Sequence, residues 1–216
     1  MAGPRSLIHR LRQPSPWGGP VTGDWRSAHF SVIDIETTGL DLRRDQIVSV
    51  GVVQVVRGRI ESNRWYQVVK PSCPIKPEAM KIHSLTADEL RAAPPVEDVI
   101  RELRERVVGT VLVAHAAWVE RAFLDRALRP AGERLPSGMV DTAALARAAG
   151  LHAGTGHEPN LEALARMLGV PAHTPHHALG DAMTTALVLL VLASRLEQQQ
   201  GHLDVRDLLD LSRANT

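Results

Sequence analysis

The chain has 216 residues, and its 25 Lys plus Arg against 24 Asp plus Glu give a net charge of +1, which excludes a histone-like polycation. A composition of 44% hydrophobic and 23% charged residues excludes a disordered chain and indicates a packed core. At roughly 100 to 200 residues per domain, this length fits one domain with tails.

The N-terminal third begins with an arm and continues into strands. Residues 1–27 are rich in Pro, Gly and Arg without a regular period, which predicts a flexible N-terminal arm. The following segments are rich in β-branched residues and predict three antiparallel strands, over residues 29–35, 46–56 and 59–69. The Arg57-Gly58 pair is expected to join the last two strands as a hairpin.

The remainder of the chain is mainly helical. Short turns are expected over residues 77–90, a buried strand over residues 110–115, and a short strand over residues 138–140. Apolar patterning predicts helices over residues 96–107, 118–128, 141–149, 161–168 and 176–196. Antiparallel strands followed by βαβα units predict an α/β domain over residues 28–196, with a mixed five-stranded sheet flanked by helices. Residues 197–216 are expected to form a polar linker and a short helix over 205–211, packed on its own domain or docked on a partner.

The sequence gives no indication of export or membrane insertion. Cys73 is the only cysteine, so no intramolecular disulfide can form. The N-terminus has no continuous apolar stretch, and the most apolar run, residues 186–193, is far shorter than the ~20 residues that span a bilayer. We therefore expect a buried helix at this run and a cytoplasmic protein without a membrane partner.

Two carboxylates end the first predicted strand, in the segment DIETTGL (residues 34–40). Because side chains alternate along a strand, Asp34 and Glu36 project to the same side. Paired carboxylates repel each other unless a cation lies between them, and an all-oxygen site favours Mg²⁺ or Mn²⁺. The alternative is that both carboxylates face water at a strand end. Gly39 favours the cation site, because it permits a tight turn whose backbone N–H groups approach a phosphate.

A third carboxylate follows the strand that ends at His115. Glu120 lies on the predicted helix at the margin of an apolar stripe that includes Phe123 and Leu124. Taken alone, Glu120 would be assigned to the surface.

A fourth carboxylate, Asp181, lies just before the most apolar run of the chain. An aspartate in that position needs either solvent or a partner such as a metal. His176, five residues earlier, reaches the same cleft if it lies in the entry loop or the first turn of the helix. The alternatives are a surface histidine or a zinc site with His173 and His177, which the lack of regular ligand spacing disfavours.

Taken in order, these segments resemble the DnaQ-like 3′–5′ exonucleases of the DEDDh type, a family that includes polymerase proofreading subunits such as the epsilon subunit of DNA polymerase III. DIETTGL (34–40) resembles the first exonuclease motif, IHSLT (82–86) the family's Ile-His-Gly-Ile-Thr segment, and His176-x-Ala178-x-x-Asp181 the third motif. Asp141-Thr142 and residues 160–165 lie between motifs two and three, as the family requires. The resemblance runs from about residue 30 to residue 196 and implies a ribonuclease H-like fold.

The second motif departs from the family pattern, which usually reads His-Asn-Ala-x-Phe-Asp-x-x-Phe-Leu. Here Ala116 replaces Asn, Val119 replaces Phe, and Glu120 takes the position of the metal-binding Asp. Glutamate keeps the charge but adds a methylene, so the helix must lie about 1 to 1.5 Å further from the metal or the side chain must change rotamer. Reduced activity is compatible with this change, and loss of the carboxylate function is not implied.

The resemblance implies roles for individual residues. Asp34, Glu36, Glu120 and Asp181 would bind two Mg²⁺ or Mn²⁺ ions, and His176 would act as the general base. The terminal nucleotide would be held by Thr37, Thr38, Gly39, Leu40, Ile82 and His83, with His115 lining the approach. The implied function is a metal-dependent exonuclease of the proofreading or repair type, which removes nucleoside 5′-monophosphates from the 3′ end of single-stranded DNA.

The site residues leave rival functions open. An RNA-directed exoribonuclease similar to oligoribonuclease or RNase T would carry the same site, because sugar discrimination depends on the pocket around the 2′ position. The rival from another class is a non-catalytic nucleic-acid-binding or polymerase-associated module. We expect single-stranded 3′ ends as the partner, DNA before RNA, and leave a polymerase partner open. The near-neutral charge predicts modest, salt-sensitive affinity centred on the terminal nucleotide.

Overall fold

The computed structural model describes residues 17–75, 77–151 and 159–213, apart from the side chains of residues 77, 78 and 82. Six strands form one sheet in the order β3-β2-β1-β5-β6, with β4 also paired to β2. The strands are β1 (His29–Thr37), β2 (Ile47–Val56), β3 (Arg59–Ile60), β4 (Trp65–Val68), β5 (Val111–Ala114) and β6 (Val140–Asp141). β1 and β2 are antiparallel, whereas β1, β5 and β6 are parallel. The predicted mixed sheet flanked by helices is confirmed, with six strands in place of five.

The described part of the chain contains eight α-helices. They are α1 (Pro77–His83), α2 (Ala87–Ala92), α3 (Val96–Val107), α4 (Trp118–Leu128), α5 (Thr142–Ala148), α6 (Leu161–Leu168), α7 (Ala178–Gln200) and α8 (Val205–Arg213). Helices α3, α4 and α6 have the predicted bounds.

The third strand predicted over residues 59–69 was wrong as a single strand. Ile60 of β3 pairs with Val55 and Trp65 of β4 pairs with Val52. Val55 and Val52 lie three residues apart on β2, but Ile60 and Trp65 lie five residues apart. The exposed residues 61–64 therefore loop out of the sheet. The surplus residues divide the strand, as a bulge does.

The two faces of the sheet carry separate cores. Alternation along β1 sends Phe30 and Val32 into a core formed with α5 to α8, and Ile33 and Ile35 into a core formed with α3 and α4. Helix α7 is long and apolar enough to cross a membrane, with a mean hydropathy of 1.5, but 61% of that stretch is buried inside the protein. It is the central helix of the first core, as predicted.

The N-terminal arm predicted over residues 1–27 is packed in its described part. Trp17 and Trp25 are buried, one in each core, and the Gly19 N–H donates to the Thr110 carbonyl at 2.7 Å. The packed domain therefore includes residue 17 and does not begin at residue 28. Residues 1–16 lie outside the described residues.

The polar linker predicted from residue 197 is helical. Helix α7 continues to Gln200 and ends at Gly201, which has a φ of 83°. Helix α8 packs on its own domain, with Leu208 buried in the first core. The first of the two alternatives for this helix is the one that the structure shows.

Candidate active site

Asp34 and Glu36 lie at the carboxyl end of β1, on the face covered by α7. They follow Val32 in the alternation of the strand, while Ile35 points into the core on the opposite face. The predicted common direction of the two carboxylates is confirmed. Because β5 is parallel to β1, the loop after β5 opens at the same edge of the sheet.

Two glycines bring α7 close to these carboxylates. Gly51 pairs with Asp34 across β1 and β2, and a Cβ atom on Gly51 would overlap the backbone of Ala178 and Leu179. A Cβ atom on Gly180 would likewise overlap the backbone of the loop that precedes α7. The first turn of α7 thus lies directly on β2, which carries Asp181 to the end of β1.

Three carboxylates form a cluster at this point. Ligand oxygens of Asp34, Glu36 and Asp181 lie within 4.8 Å of one another. Burial, together with the neighbouring Glu120 and Asp181, raises the pKa of Asp34 well above its usual range. Burial also raises the pKa of Glu36 to about 7 and that of Asp181 to about 6. Such a cluster is stable either with bound protons or with a bound cation.

Glu120 approaches the cluster from α4, on the opposite face of the sheet, and is close enough to raise the pKa of Asp34. It is not one of the three residues whose oxygens lie within 4.8 Å of one another. It shares the buried arc of α4 with Phe123 and Leu124, and only 4% of its surface is exposed. Burial and the nearby Asp141 and Glu36 raise its pKa to about 8. Its Oε2 atom is buried and accepts no hydrogen bond from the described residues. A buried carboxylate oxygen without a donor is a suitable ligand for a hard divalent cation.

His176 lies in the entry loop of α7, which begins at Ala178 and not at residue 176 as predicted. Its backbone has a φ of 61°, and its N–H donates to Asp181 Oδ2 at 2.8 Å. The ring is exposed, with Nε2 at 3.8 Å from Glu162 Oε1. The next residue, His177, stacks on Tyr66 with ring centroids 4.3 Å apart, which fixes the loop. In the part of the chain that the structure describes, the residues with metal-sized spacing are carboxylates, so the zinc alternative gains no support.

The predicted substrate segment, residues 37–40, forms the turn after β1. The Thr37 hydroxyl donates to the Gly39 carbonyl at 2.7 Å, and the buried Thr38 hydroxyl donates to Asp45 Oδ1 at 3.1 Å. Both hydroxyls therefore hold the turn itself. Leu40 is 78% exposed beyond the turn, which leaves its side chain open to a ligand.

The loop over residues 41–45 is fixed in place. The Asp41 N–H donates to Asp45 Oδ2 at 2.8 Å, and the Arg126 guanidinium donates to the carbonyls of Leu42 and Asp45. The loop between β1 and β2 therefore has a defined conformation.

The three remaining substrate candidates differ in their surroundings. The Ile82 side chain lies outside the described residues. His83 is buried at the end of α1, where burial lowers its pKa, and its Nδ1 accepts from the Leu85 N–H at 3.3 Å. The two ring nitrogens of His115 lie 2.9 Å from Thr142 Oγ1 and 2.6 Å from the Pro159 carbonyl. These hydrogen bonds give His115 a structural role, so contact with a nucleotide through its nitrogens is not expected.

Asp141 is a residue whose part in the site the sequence did not reveal. It is 2% exposed, and its Oδ1 accepts from the backbone N–H groups of Ala116 at 3.0 Å and Ala143 at 2.9 Å. Asp141 is the N-cap of α5, whereas the sequence predicted it as the first residue of a helix over residues 141–149. The bond from Ala116, in the turn before α4, had no signal in the sequence.

Comparison with known proteins identifies the family. The family model for the RNase T type exonuclease domain matches residues 31–189. The chain is 32% identical over 175 residues to the DNA polymerase III subunit epsilon of Treponema pallidum, covering 80% of each protein. It is 29% identical over 193 residues to the PolC-type DNA polymerase III of Staphylococcus haemolyticus, which is 88% of this chain but 13% of that protein.

Solved structures show the same fold. Exonuclease X in complex with 5′-overhanging duplex DNA has a TM-score of 0.65 and 28% identity, covering 85% of this chain and 99% of that one. The nuclease domain of 3′hExo, a DEDDh family member bound to rAMP, has a TM-score of 0.65 and 16% identity, covering 83% and 96%. At that identity the likeness concerns the fold alone. The family model and the epsilon relative together show that this chain belongs to the RNase T family of exonucleases, with a DNA polymerase III epsilon subunit among its relatives.

Proposed function

We propose that the protein is a metal-dependent 3′–5′ exonuclease that removes nucleoside 5′-monophosphates from single-stranded DNA. The observation that carries this proposal is the cluster of Asp34, Glu36 and Asp181, whose oxygens lie within 4.8 Å of one another. Family membership and the exonuclease fold support hydrolysis of a phosphodiester as the reaction.

The residues present fit a pair of Mg²⁺ or Mn²⁺ ions. Asp34, Glu36, Asp181 and Glu120 offer only oxygen, the donor that these ions prefer. Glu120 Oε2, buried without a donor among the described residues, supports its assignment as a ligand. When bound, such ions neutralise charge on the phosphoryl oxygens and lower the pKa of the attacking water.

His176 is our candidate for the general base. Its backbone bond to Asp181 holds it next to the carboxylate cluster, and its exposed ring has access to water. Imidazole suits the role because its ordinary titration range includes physiological pH. The ring would take the proton of the attacking water, and Glu162 would stabilise the resulting imidazolium.

The substrate and its setting follow from the surface around the cluster and from the relatives. Leu40 is exposed in the turn that follows β1, four residues after Glu36, where it would contact the base of the terminal nucleotide. DNA is proposed before RNA because the similar proteins include a DNA polymerase III epsilon subunit, and the similar structures include exonuclease X with DNA. On the same basis we propose that the protein is cytoplasmic and associates with a bacterial replicative polymerase.

The decisive experiment measures mononucleotide release from matched single-stranded DNA and RNA in Mn²⁺ and in EDTA. We expect release from the DNA 3′ end in Mn²⁺ alone, and a loss of about a hundredfold or more in Asp34→Asn, because a metal ligand is removed. Asp98→Asn, on the exposed face of α3, is the matched control and should retain full activity. Equal rates for Asp34→Asn and the unaltered protein would contradict the proposed site, and a faster rate on RNA would assign the substrate to RNA.

A further inference from the structure

The turn that leads into α4 is held from outside the helix. Ala116 has a φ of 54°, in the left-handed region that residues with a Cβ atom avoid. The N-cap residue of α4, Ala117, makes no side-chain capping bond. The position of Glu120, three residues later, therefore depends on what fixes Ala116.

The contact that fixes Ala116 comes from the end of β6. Its N–H donates to Asp141 Oδ1 at 3.0 Å, and the same oxygen caps α5 through the Ala143 N–H at 2.9 Å. The neighbouring pair is joined as well, because His115 Nδ1 lies 2.9 Å from Thr142 Oγ1. Two consecutive residues of the turn are thus tied to Asp141 and Thr142.

Asp141 is in turn fixed by the C-terminal helix. Its N–H donates to Ser212 Oγ at 2.9 Å, and the Ser212 hydroxyl donates to the Leu208 carbonyl within α8 at 2.7 Å. Since the hydroxyl proton is directed at Leu208, the Ser212 oxygen is free to accept from Asp141. A continuous hydrogen-bonded path therefore runs from α8 through Asp141 to the turn before Glu120.

We infer that Asp141 and Ser212 are positioning residues, through which α8 sets the place of the Glu120 carboxylate in the metal site. Helix α8 lies beyond the segment matched by the family model, residues 31–189, so this support is additional to the matched domain. The inference relies on the proposed function for the role of Glu120 as a ligand. The path itself stands on the hydrogen bonds alone.

The test compares Asp141→Ala and Ser212→Ala with Ser31→Ala. Ser31 is a buried serine with hydrogen bonds to Gln54 and Thr110, but it lies in the opposite half of β1 and has no link to Glu120. Three quantities are measured in the full chain: Mn²⁺ affinity by calorimetry, kcat and KM on single-stranded DNA, and amide hydrogen exchange at residues 116–121.

Removal of an outer hydrogen-bond partner of a metal ligand lowers metal affinity or activity about 10- to 100-fold. We expect a loss of this size in Mn²⁺ affinity and kcat for Asp141→Ala, about three- to tenfold for Ser212→Ala, and little change in KM. Exchange at residues 116–121 should accelerate in both variants. Ser31→Ala should lose stability without any of these effects.

The outcomes separate the two proposals. If both variants matched Ser31→Ala in Mn²⁺ affinity, kcat and amide exchange, the positioning role would be overturned. If the unaltered protein bound no Mn²⁺, the metal site would fail, and the exchange rates at residues 116–121 would still decide whether α8 positions Glu120.

Discussion

The carboxylates of the site couple folding to pH and to metal. Burial raises the pKa of Glu36 to about 7 and that of Glu120 to about 8. An acid whose pKa is higher in the folded chain than in the unfolded chain binds more protons when folded. The free energy of unfolding of the metal-free protein must therefore fall as the pH rises.

This linkage gives a prediction with a defined pH window. In EDTA, we expect the free energy of unfolding to fall from about pH 4.5 to about pH 8, by about 1.4 kcal/mol for each unit by which a pKa is raised. Glu120→Gln removes one of the raised groups, so its profile should be flatter and its stability at pH 8 higher than that of the unaltered protein. Urea unfolding across this range provides the measurement.

Two comparisons complete the test of the pH prediction. Glu105→Gln, at an exposed position on α3, should leave the profile unchanged. Saturating Mn²⁺ should restore stability at pH 8, because bound cations stabilise the ionised carboxylates. Superimposable profiles for Glu120→Gln and the unaltered protein would show that the pKa of Glu120 is not raised in the folded protein.

At the level of elements, the site depends on how closely α7 approaches β2. Gly51 pairs with Asp34 on the neighbouring strand and leaves no space for a side chain beneath Ala178. Asp181 lies on the same first turn of α7. Any displacement of this turn therefore moves one carboxylate of the cluster away from the other two.

Gly51→Ala is predicted to damage both the fold and the site. The added methyl group overlaps backbone atoms, which cannot move aside as a flexible side chain does, so we expect a loss of about 1–3 kcal/mol of stability. Because the shift separates Asp181 from Asp34, Mn²⁺ affinity should fall about tenfold or more. Gly58→Ala is the control, since a Cβ atom there meets nothing within 4 Å and only the φ of 70° opposes it. Normal Mn²⁺ affinity in folded Gly51→Ala would show that α7 does not need this contact.

The elements themselves could largely be predicted from the sequence, for identifiable reasons. Helices α3 and α6 have strong apolar periodicity, and α6 also begins at the capping residue Asn160 and ends at Gly169. The division of the third strand into β3 and β4 could not be predicted, because it depends on which residues of β2 face residues 60 and 65. Register between strands is a tertiary property that the pattern of one strand does not contain.

At the level of the whole molecule, contacts between distant segments were the least predictable. Trp17 and Trp25 were assigned to a flexible arm because Pro and Gly surround them, yet both fill the core. In a chain with only 3% aromatic residues, two tryptophans in one segment indicate packing into the core. The high Pro and Gly content of that segment obscured this signal. The carboxylates of Asp34, Glu36 and Asp181 were placed together from their motifs, whereas the hydrogen bond from Asp141 to Ser212 joins segments with no common pattern.

The near-neutral charge is distributed in a way that bears on substrate binding. Many arginines form ion pairs with nearby carboxylates, including those from Arg26 to Glu197, Arg104 to Glu133 and Arg106 to Glu102. Arg43, on the fixed loop after the site, is exposed and makes no ion pair with the described residues. Its neighbour Arg44 is 4.0 Å from Asp41. Arg43 is therefore an exposed cation without an ion pair in the described part of the chain, on the loop that follows β1.

This distribution predicts a shallow salt dependence for catalysis on single-stranded DNA. Each phosphate neutralised contributes about 0.7 to the slope of log affinity against log salt, so one or two contacts give a slope of about −0.7 to −1.4 in kcat/KM. Arg43→Ala should reduce the slope by about 0.7 and raise KM with little change in kcat, because phosphate contacts at a distance from the cluster contribute to binding and not to the chemical step. Arg195→Ala is the matched control, an exposed arginine about 20 Å along α7 from Asp181. A slope steeper than about −3 would require more than four phosphate contacts, and the path of the strand would then have to extend over basic residues well beyond this loop.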